Sequence, residues 1–535
     1  MKKQIYKIAL AAVMVFPSVS ILNSCNDAID IVQDGELNEA GVFSSLANMK
    51  SFLVGVYGTV DTTSEIKFTS VFTDEVGVGP ANGGFDYSLH RFFLNIGDTY
   101  ASSIWANHYI TIDRVNRFLK GSKNVVPVGA TEIKEYNDAL AQARVIRAFA
   151  YLQLESYFST NMKDPNALGV MYTDEVKPIT AQLQRSTNAE IFKLIEDDLA
   201  FAEANLDPNS TILSGLPARY MMVNKNFINA IKARFYLYRG DYPNAKLYAQ
   251  KVITESGLSL TQATPLVPAS VTAAPGSLQW NNNYYGSSVF SSVNPYRMMW
   301  ADLSQGEIVF GLSRPTNAAG GSIANLYTTN ATVAGGAVLW DMGRNLFNIL
   351  LNTPGDVRRY AFVDPTSKID ANYQTNGAYN TSDVIVIDKY PGKINTTYVL
   401  KNDIKVFRLS EMYFILAECA IADGSNNLVL AANYIKNVRD ARNYSGPVAL
   451  PVYSNATTAY ADLLKERRVE LAFEGHRYLD LKRLGQLGGV AIDRHFTDDV
   501  IPSLPTTIPF DHRFTLPIPL NEIKGNPTIQ QNPGY

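Results

Sequence analysis

The chain has 535 residues, 18% of them charged and 46% hydrophobic, with a formal net charge of −3. That composition describes an ordinary globular protein and carries no basic footprint, so a nucleic acid partner is not expected. Tyrosine and phenylalanine number 30 and 25 against 5 histidines; such a balance suits a binding surface better than acid–base chemistry, although most rings in a chain of this size fill the core.

In chain order, Lys2, Lys3 and Lys7 form a positive stretch followed by an apolar run from Ile8 to Phe16 that is too short to span a bilayer. The run ends on Leu22-Asn23-Ser24-Cys25, which resembles a bacterial lipobox. Cleavage before Cys25 and lipidation of its thiol are expected, making residues 1–24 a lipoprotein signal peptide. Several acyl chains at ~0.8 kcal/mol per buried methylene hold a soluble domain on a membrane. Residues 25–40 are polar and acidic and read as a tether. The remainder, 41–535, is expected to form a single domain. No later segment is apolar for long enough to cross a membrane.

Helical periodicity dominates from there on. Val145, Ala148, Phe149, Leu152 and Ser156 form one stripe; Ile191, Leu194, Ile195, Leu199 and Ala202 form another, with Thr187 or Asn188 as its cap. Phe227, Ile231, Phe235 and Tyr238 make a third. Gly240-Asp241-Tyr242-Pro243 ends it and restarts a helix that carries Ala245, Ala249 and Val252. Residues 237–249 resemble a tetratricopeptide hairpin: a glycine for the turn, a tyrosine between helices, an alanine for close approach. A second pair follows that plan, with Leu409, Met412, Leu416 and Cys419 outbound, Asp423-Gly424 at the turn, and Ala431, Tyr434, Ile435 and Val438 returning. Cys419 is expected to pack as a small hydrophobe. Two stretches break the helical pattern, at about 71–100 and 260–401. They are rich in Gly, Ser, Asn, Thr and Pro and read as long loops with short strands at 307–310 and 384–387. Irregular insertions on a rigid scaffold are where binding residues tend to sit.

Several motifs occur in a specific order: Trp105, Tyr109, Ile112 and Asn116; then Gln142-Ala143-Arg144-Val145-Ile146-Arg147-Ala148-Phe149-Ala150-Tyr151; then Arg408-Leu409-Ser410-Glu411-Met412-Tyr413; then Glu466-Arg467-Arg468-Val469-Glu470-Leu471-Ala472-Phe473-Glu474-Gly475-His476-Arg477; and the ending Gln531-Asn532-Pro533-Gly534-Tyr535. In this order they resemble the SusD/RagB family of outer-membrane nutrient-binding lipoproteins. One departure is Ser159-Thr160-Asn161-Met162, where the family usually has a small aliphatic-Gly pair. The resemblance implies a mainly α fold, with tetratricopeptide-like hairpins, long irregular loops and short strands. It implies a surface-facing lipoprotein that passes a captured oligosaccharide, or in fewer cases a peptide, to a SusC-like TonB-dependent barrel transporter.

No catalytic constellation is found. Glu466, Glu470 and Glu474 share one helix face, so they cannot flank a glycosidic bond from opposite sides; with Arg467, Arg468 and Arg477 they read as an ion-pair network. Asp164 to Glu175 fits a calcium loop only in part, because Leu168 stands where an oxygen ligand is needed. Gly77, Gly79, Gly83 and Gly84 do not keep a dinucleotide spacing and read as a surface loop. His108 and His476 are expected to be packed or hydrogen-bonded. No enzyme activity, cofactor or metal is expected; a lipid-anchored glycosidase is a poorly supported alternative, and a pure scaffold with no ligand is a third. The expected ligand residues are aromatic and amide-rich: Trp280, Asn282, Tyr284, Tyr285, Tyr296 and Trp300 from the later insertion, and Asp74, Asn82, Phe85 and Tyr87 from the earlier one. Rings stack on the C–H face of a sugar, and Asn and Asp bond its hydroxyl rim. The competing reading is that several of these rings anchor the loops to the scaffold.

Overall fold

The computed structural model describes residues 39–213, 219–264, 295–315, 323, 327, 337–364, 367–392, 401–423 and 427–535. After α1 (Leu46–Tyr57) and α2 (Thr63–Phe72) comes a short strand, β1 (Val76–Val78), and a single helical turn, α3 (Tyr87–His90). Two long helices follow, α4 (Thr99–Ser122) and α5 (Gly129–Phe158). Asp98 caps α4 by accepting from Ala101 N, and the face with Ile104, Ile112, Val115 and Phe118 is buried. Beyond β2 (Leu168–Met171) and β3 (Arg185–Thr187) lies α6 (Asn188–Asn205). Thr187 and Glu190 form a reciprocal capping box at its start, as the sequence suggested for Thr187.

The first helical hairpin is α7 (Lys225–Arg239) and α8 (Tyr242–Glu255). Gly240 ends α7 at φ 77°, and Asp241 caps α8 by accepting from Asn244 N. Ala245 and Ala249 are fully buried at the contact, where a larger side chain would push the helices apart. Within the later insertion are α9 (Pro295–Trp300), β4 (Ile308–Leu312), β5 (Trp340–Met342), α10 (Arg344–Leu351) and α11 (Arg358–Phe362). The chain then returns through β6 (Ile404–Arg408) to the second hairpin, α12 (Leu409–Ala422) and α13 (Leu428–Arg442), and to α14 (Ala456–Glu470) and α15 (Arg477–Gly488). Helices pack pairwise, α4 on α5, α5 on α6, α7 on α8, α12 on α13, α14 on α15, with α8 also against α12. Among the described residues the strands form three two-stranded antiparallel ladders, β1 with β5, β2 with β3, and β4 with β6.

Two local expectations are corrected. Residues 384–387 form isolated bridges to Lys368 and Val363 rather than a strand. The carboxylates of 466–474 do form an ion-pair network, but their partners come from other elements. Arg408 Nη1 lies 2.7 Å from both Glu307 and Glu470, and Arg442 Nη2 lies 2.8 Å from both. Arg358 Nη1 reaches Glu466 at 2.6 Å and Glu470 at 3.1 Å. Glu474 lies beyond the end of α14, past Phe473 at φ 62°, and accepts from Lys389 Nζ at 2.7 Å. Burial alone would raise the Glu470 carboxyl; the guanidinia of Arg442 and Arg408 overcome it and hold the group well below the usual range. Cys419 is buried as expected, and burial pushes its thiol up.

Candidate ligand-binding face

Strand β1 leads into loop 79–93, and the loop's base is clamped to residues 338–339, just ahead of β5. Gly79 N and Ala81 N donate to Leu339 O and Val338 O, each at 3.0 Å. A Cβ on Gly79 would lie 2.5 Å from Val338 O, so only glycine permits this approach. Asn82 is buried and holds the loop from inside: its Nδ2 donates to Leu339 O at 3.0 Å and its Oδ1 accepts from Gly84 N at 3.1 Å. Gly83, Gly84 and Asp86 all have positive φ, at 66°, 97° and 55°. This tight run lifts Phe85 to the surface, where it is 53% exposed. Tyr100 on α4 fastens the turn by donating to Asp86 Oδ2 at 2.5 Å.

After the turn, Tyr87 is half-buried under Arg91, whose guanidinium carbon lies 4.5 Å from the ring centroid. Arg91 grips Asp499 with two bonds of 3.0 and 2.9 Å, bringing residues 499–501 alongside. Burial would raise the Asp499 carboxyl, but contacts from His90, Arg91 and Ile501 N hold it below the usual range. Phe92 has φ 65° and turns inward under the Arg494 guanidinium, 4.2 Å from the ring centroid. Arg494 in turn donates to the carbonyls of Val71, Phe72 and Thr73 at the end of α2. The reversal at Phe92 sends Phe93 outward, 66% exposed. Val500 and Ile501 are exposed as well.

Loop 79–93 thus has a fixed base and carries two exposed rings, Phe85 and Phe93, with the half-buried Arg91–Asp499 pair anchoring its second half. Flat apolar rings stack on apolar ligand faces, and charge-assisted donors and acceptors bond polar rims. Among the described residues no group of His, Cys, Asp or Glu is placed to hold a metal ion.

Of the residues expected from sequence, Phe85 and Tyr87 reach the surface here, and Asn82 supports the loop from below. Three others are corrected. Asp74 is fully buried, accepts from Arg477 Nε and Nη2 at 2.8 Å each, and lies 3.4 Å from Arg468. Tyr296 is buried under Arg442, and Trp300 under Lys389 and Arg408. These three hold α9 and the end of α2 to the scaffold and are closed to ligand. Trp280, Asn282, Tyr284, Tyr285 and Cys25 lie outside the described residues. Phe93, Arg91 and Asp499 were not foreseen. The Phe92-Phe93 pair in a polar segment was the one available signal for the first; nothing local pairs Arg91 with a residue 408 positions away.

Residues 30–237 match a family described as starch-binding, associating with outer membrane, and residues 355–535 match the SusD family. The SusD-like protein P2 of Formosa agariphila is 23% identical over 531 residues, 94% of this chain and 95% of that protein. A SusD superfamily protein from Bacteroides vulgatus superposes with a TM-score of 0.69 at 20% identity, covering 92% of this chain and 99% of the other. One from Bacteroides thetaiotaomicron gives 0.66 at 22% identity, covering 91% and 100%. A SusD-like carbohydrate binding protein from Bacteroides vulgatus gives 0.64 at 16%, covering 91% and 97%. With family matches at both ends, a relative along nearly the whole length and the same helical fold, the chain belongs to the SusD/RagB family.

Proposed function

We propose that this protein is a non-enzymatic, lipid-anchored binding protein of the outer membrane, facing the cell exterior. It captures an oligosaccharide on loop 79–93 and residues 499–501 and passes it to a TonB-dependent barrel for uptake. The observation that carries the ligand part is the pair of exposed rings, Phe85 and Phe93, on a loop held by backbone clamps and the Arg91–Asp499 bond. Leaving two phenylalanines in water forgoes ~2 kcal/mol of burial for each ring, so the arrangement calls for an occupant. Trp280, Asn282, Tyr284 and Tyr285 are assigned to the same ligand on the chemistry of their side chains.

The family description names starch and the outer membrane, and one of the structural relatives is a carbohydrate binding protein; both support a sugar ligand. The lipobox at Leu22 to Cys25 supports the anchor and the signal peptide 1–24, and the polar, acidic composition of 25–40 supports a tether ahead of a domain at 41–535. Burial of Glu466 and Glu470 in ion pairs favours binding over glycoside hydrolysis by these groups. The family likeness supports a TonB-dependent barrel as the import partner.

Two measurements test the proposal. Affinity electrophoresis of the purified protein through gels holding soluble starch, mixed-linkage β-glucan, xylan or alginate should show retardation in at least one. Retardation in none, with binding to a peptide library instead, would replace the sugar by peptide. Solubilisation of the outer membrane in mild detergent should bring down a large barrel protein near equal stoichiometry, because a stable contact of this kind buries on the order of 2,000 Å² or more. Recovery of the lipoprotein alone, even after crosslinking in cells, would overturn the hand-over.

A further inference from the structure

A cleft of about 590 Å³ lies between the C-terminal half of α4, α5, α6 and the strap of residues 172–176. Its size falls in the range of small-molecule sites. One buried residue ties its walls together. Arg147 on α5 donates to both oxygens of Asp198 on α6 at 2.7 and 2.8 Å, to Asn116 Oδ1 on α4 at 2.7 Å, and to Asp174 O on the strap at 3.2 Å. Asn116 Nδ2 reaches two further strap carbonyls, those of Thr173 and Glu175, at 3.2 Å each. The cleft is therefore rigid before any ligand arrives, which lowers the ordering cost of binding.

Two tyrosines line it, Tyr136 from α5 and Tyr172 from the strap, the latter 37% exposed. Between the helices sits Arg144, its guanidinium 4.2 Å from the Phe201 ring centroid and its buried Nε without a hydrogen-bond partner among the described residues. Four lysine or arginine side chains and four aspartate or glutamate side chains line the cleft, so its charge cancels. A polyanion or a polycation gains little from such a lining. A polyhydroxylated, near-neutral molecule gains both ring contacts for its C–H faces and charged donors and acceptors for its hydroxyls.

We propose that this cleft is a second saccharide-binding site, taking a short stretch of the same glycan chain as the loop 79–93 face. The inference rests on the saccharide reading above. Helix α4 runs from Tyr100, which fastens that loop, to Lys120 in the cleft. At ~1.5 Å per residue this places the two sites about 30 Å apart along one rigid rod. A polymer long enough to touch both binds by avidity, whereas a short oligosaccharide occupies each site independently.

The test uses the same four polysaccharides in affinity gels, with trisaccharide fragments of whichever one retards the wild type. Tyr172→Ala and Glu175→Gln should each weaken polymer retention about threefold or more, and Tyr172→Phe, which keeps the ring, should stay near wild type. Calorimetric titration with the trisaccharide should give two equivalents per chain for the wild type and one for Tyr172→Ala. Wild-type retention and two equivalents in Tyr172→Ala would overturn the second site. If Phe85→Ala/Phe93→Ala abolishes all binding while the cleft variants behave as wild type, the proposed function stands and the cleft proposal falls. If no polysaccharide retards the wild type, both fall. Unchanged polysaccharide retention with lost barrel co-purification would reassign the cleft to a protein contact and also overturn the proposal.

Discussion

Replacing Glu470 by Gln removes one charge from the centre of the buried network while keeping the side-chain volume. Glu470 accepts from Arg408 at 2.7 Å, from Arg442 at 2.8 and 3.1 Å, and from Arg358 at 3.1 Å, and its side chain has no exposure. Those three guanidinia would keep the carboxylates of Glu307, Glu466 and Asp356 but lose the one group common to all of them. Removing one partner from a buried pair costs roughly 3–5 kcal/mol, because a charge is left without compensation in a medium that solvates it poorly. A cooperative unit of about 500 residues unfolds with an entropy near ~1 kcal/mol/K, so the expected fall in melting temperature is about 3–5 °C. Differential scanning calorimetry at pH 7 reads it directly. The control is Asp197→Asn, which changes net charge by the same amount but breaks an exposed i,i+4 pair with Lys193, 2.7 Å long and with side chains 75% and 60% exposed. That pair contributes about 0–1 kcal/mol, so its melting temperature should move by about 1 °C or less. Equal shifts in the two variants would refute the reasoning, since net charge and not the buried network would then set the effect.

Gly79→Ala should place a methyl group against Val338 and Leu339 backbone and cost about 1–3 kcal/mol; urea denaturation checks it, and an unchanged midpoint would mean the loop base is not clamped as described. Glu155 is buried, and burial pushes its carboxyl up to about 8 despite the bond from Val170 N and the nearby charges of Arg185 and Lys482. A folded-state value above the unfolded one favours the protonated form on folding, so this contribution is complete below the unfolded pKa of 4.5 and is lost as pH rises towards about 8. Glu155→Gln should flatten that decline, measured as urea midpoints between pH 5 and 8; a wild-type slope retained in the variant would contradict it. Lys482, drawn down to about 7 by burial, acts oppositely, losing stability as pH falls from above 10.5 towards 7, so its window lies mostly higher. Cys25→Ala should abolish incorporation of a labelled fatty acid, and equal label in both forms would remove the anchor.

The helical scaffold was legible because its signals are local. The stripe Phe227, Ile231, Phe235 and Tyr238 has the helix period, Thr187 caps where a cap was expected, and Gly240-Asp241 turns where a hairpin needs a turn. The site was less legible because residue type does not state burial. Asp74 has the chemistry of a ligand group, yet its partners Arg468 and Arg477 arrive from about four hundred positions downstream and enclose it. Trp300 and Tyr296 carry the chemistry of a sugar platform, yet cations of the network cover their faces. Phe85 reaches the surface because Gly83, Gly84 and Asp86 at positive φ turn the chain around it. The exposure of Phe93 is not legible in the sequence because it depends on the left-handed backbone of Phe92, a conformation that a phenylalanine does not announce.

The most direct test of the saccharide face is a binding isotherm for Phe85→Ala/Phe93→Ala on the polysaccharide that retards the wild type. Both rings are exposed and sit outside the core, so the melting temperature should hold within about 1 °C while affinity falls by about 1–3 kcal/mol, roughly fivefold to 150-fold. Wild-type affinity in the double variant, with its fold intact, would contradict the assignment of this face to the ligand.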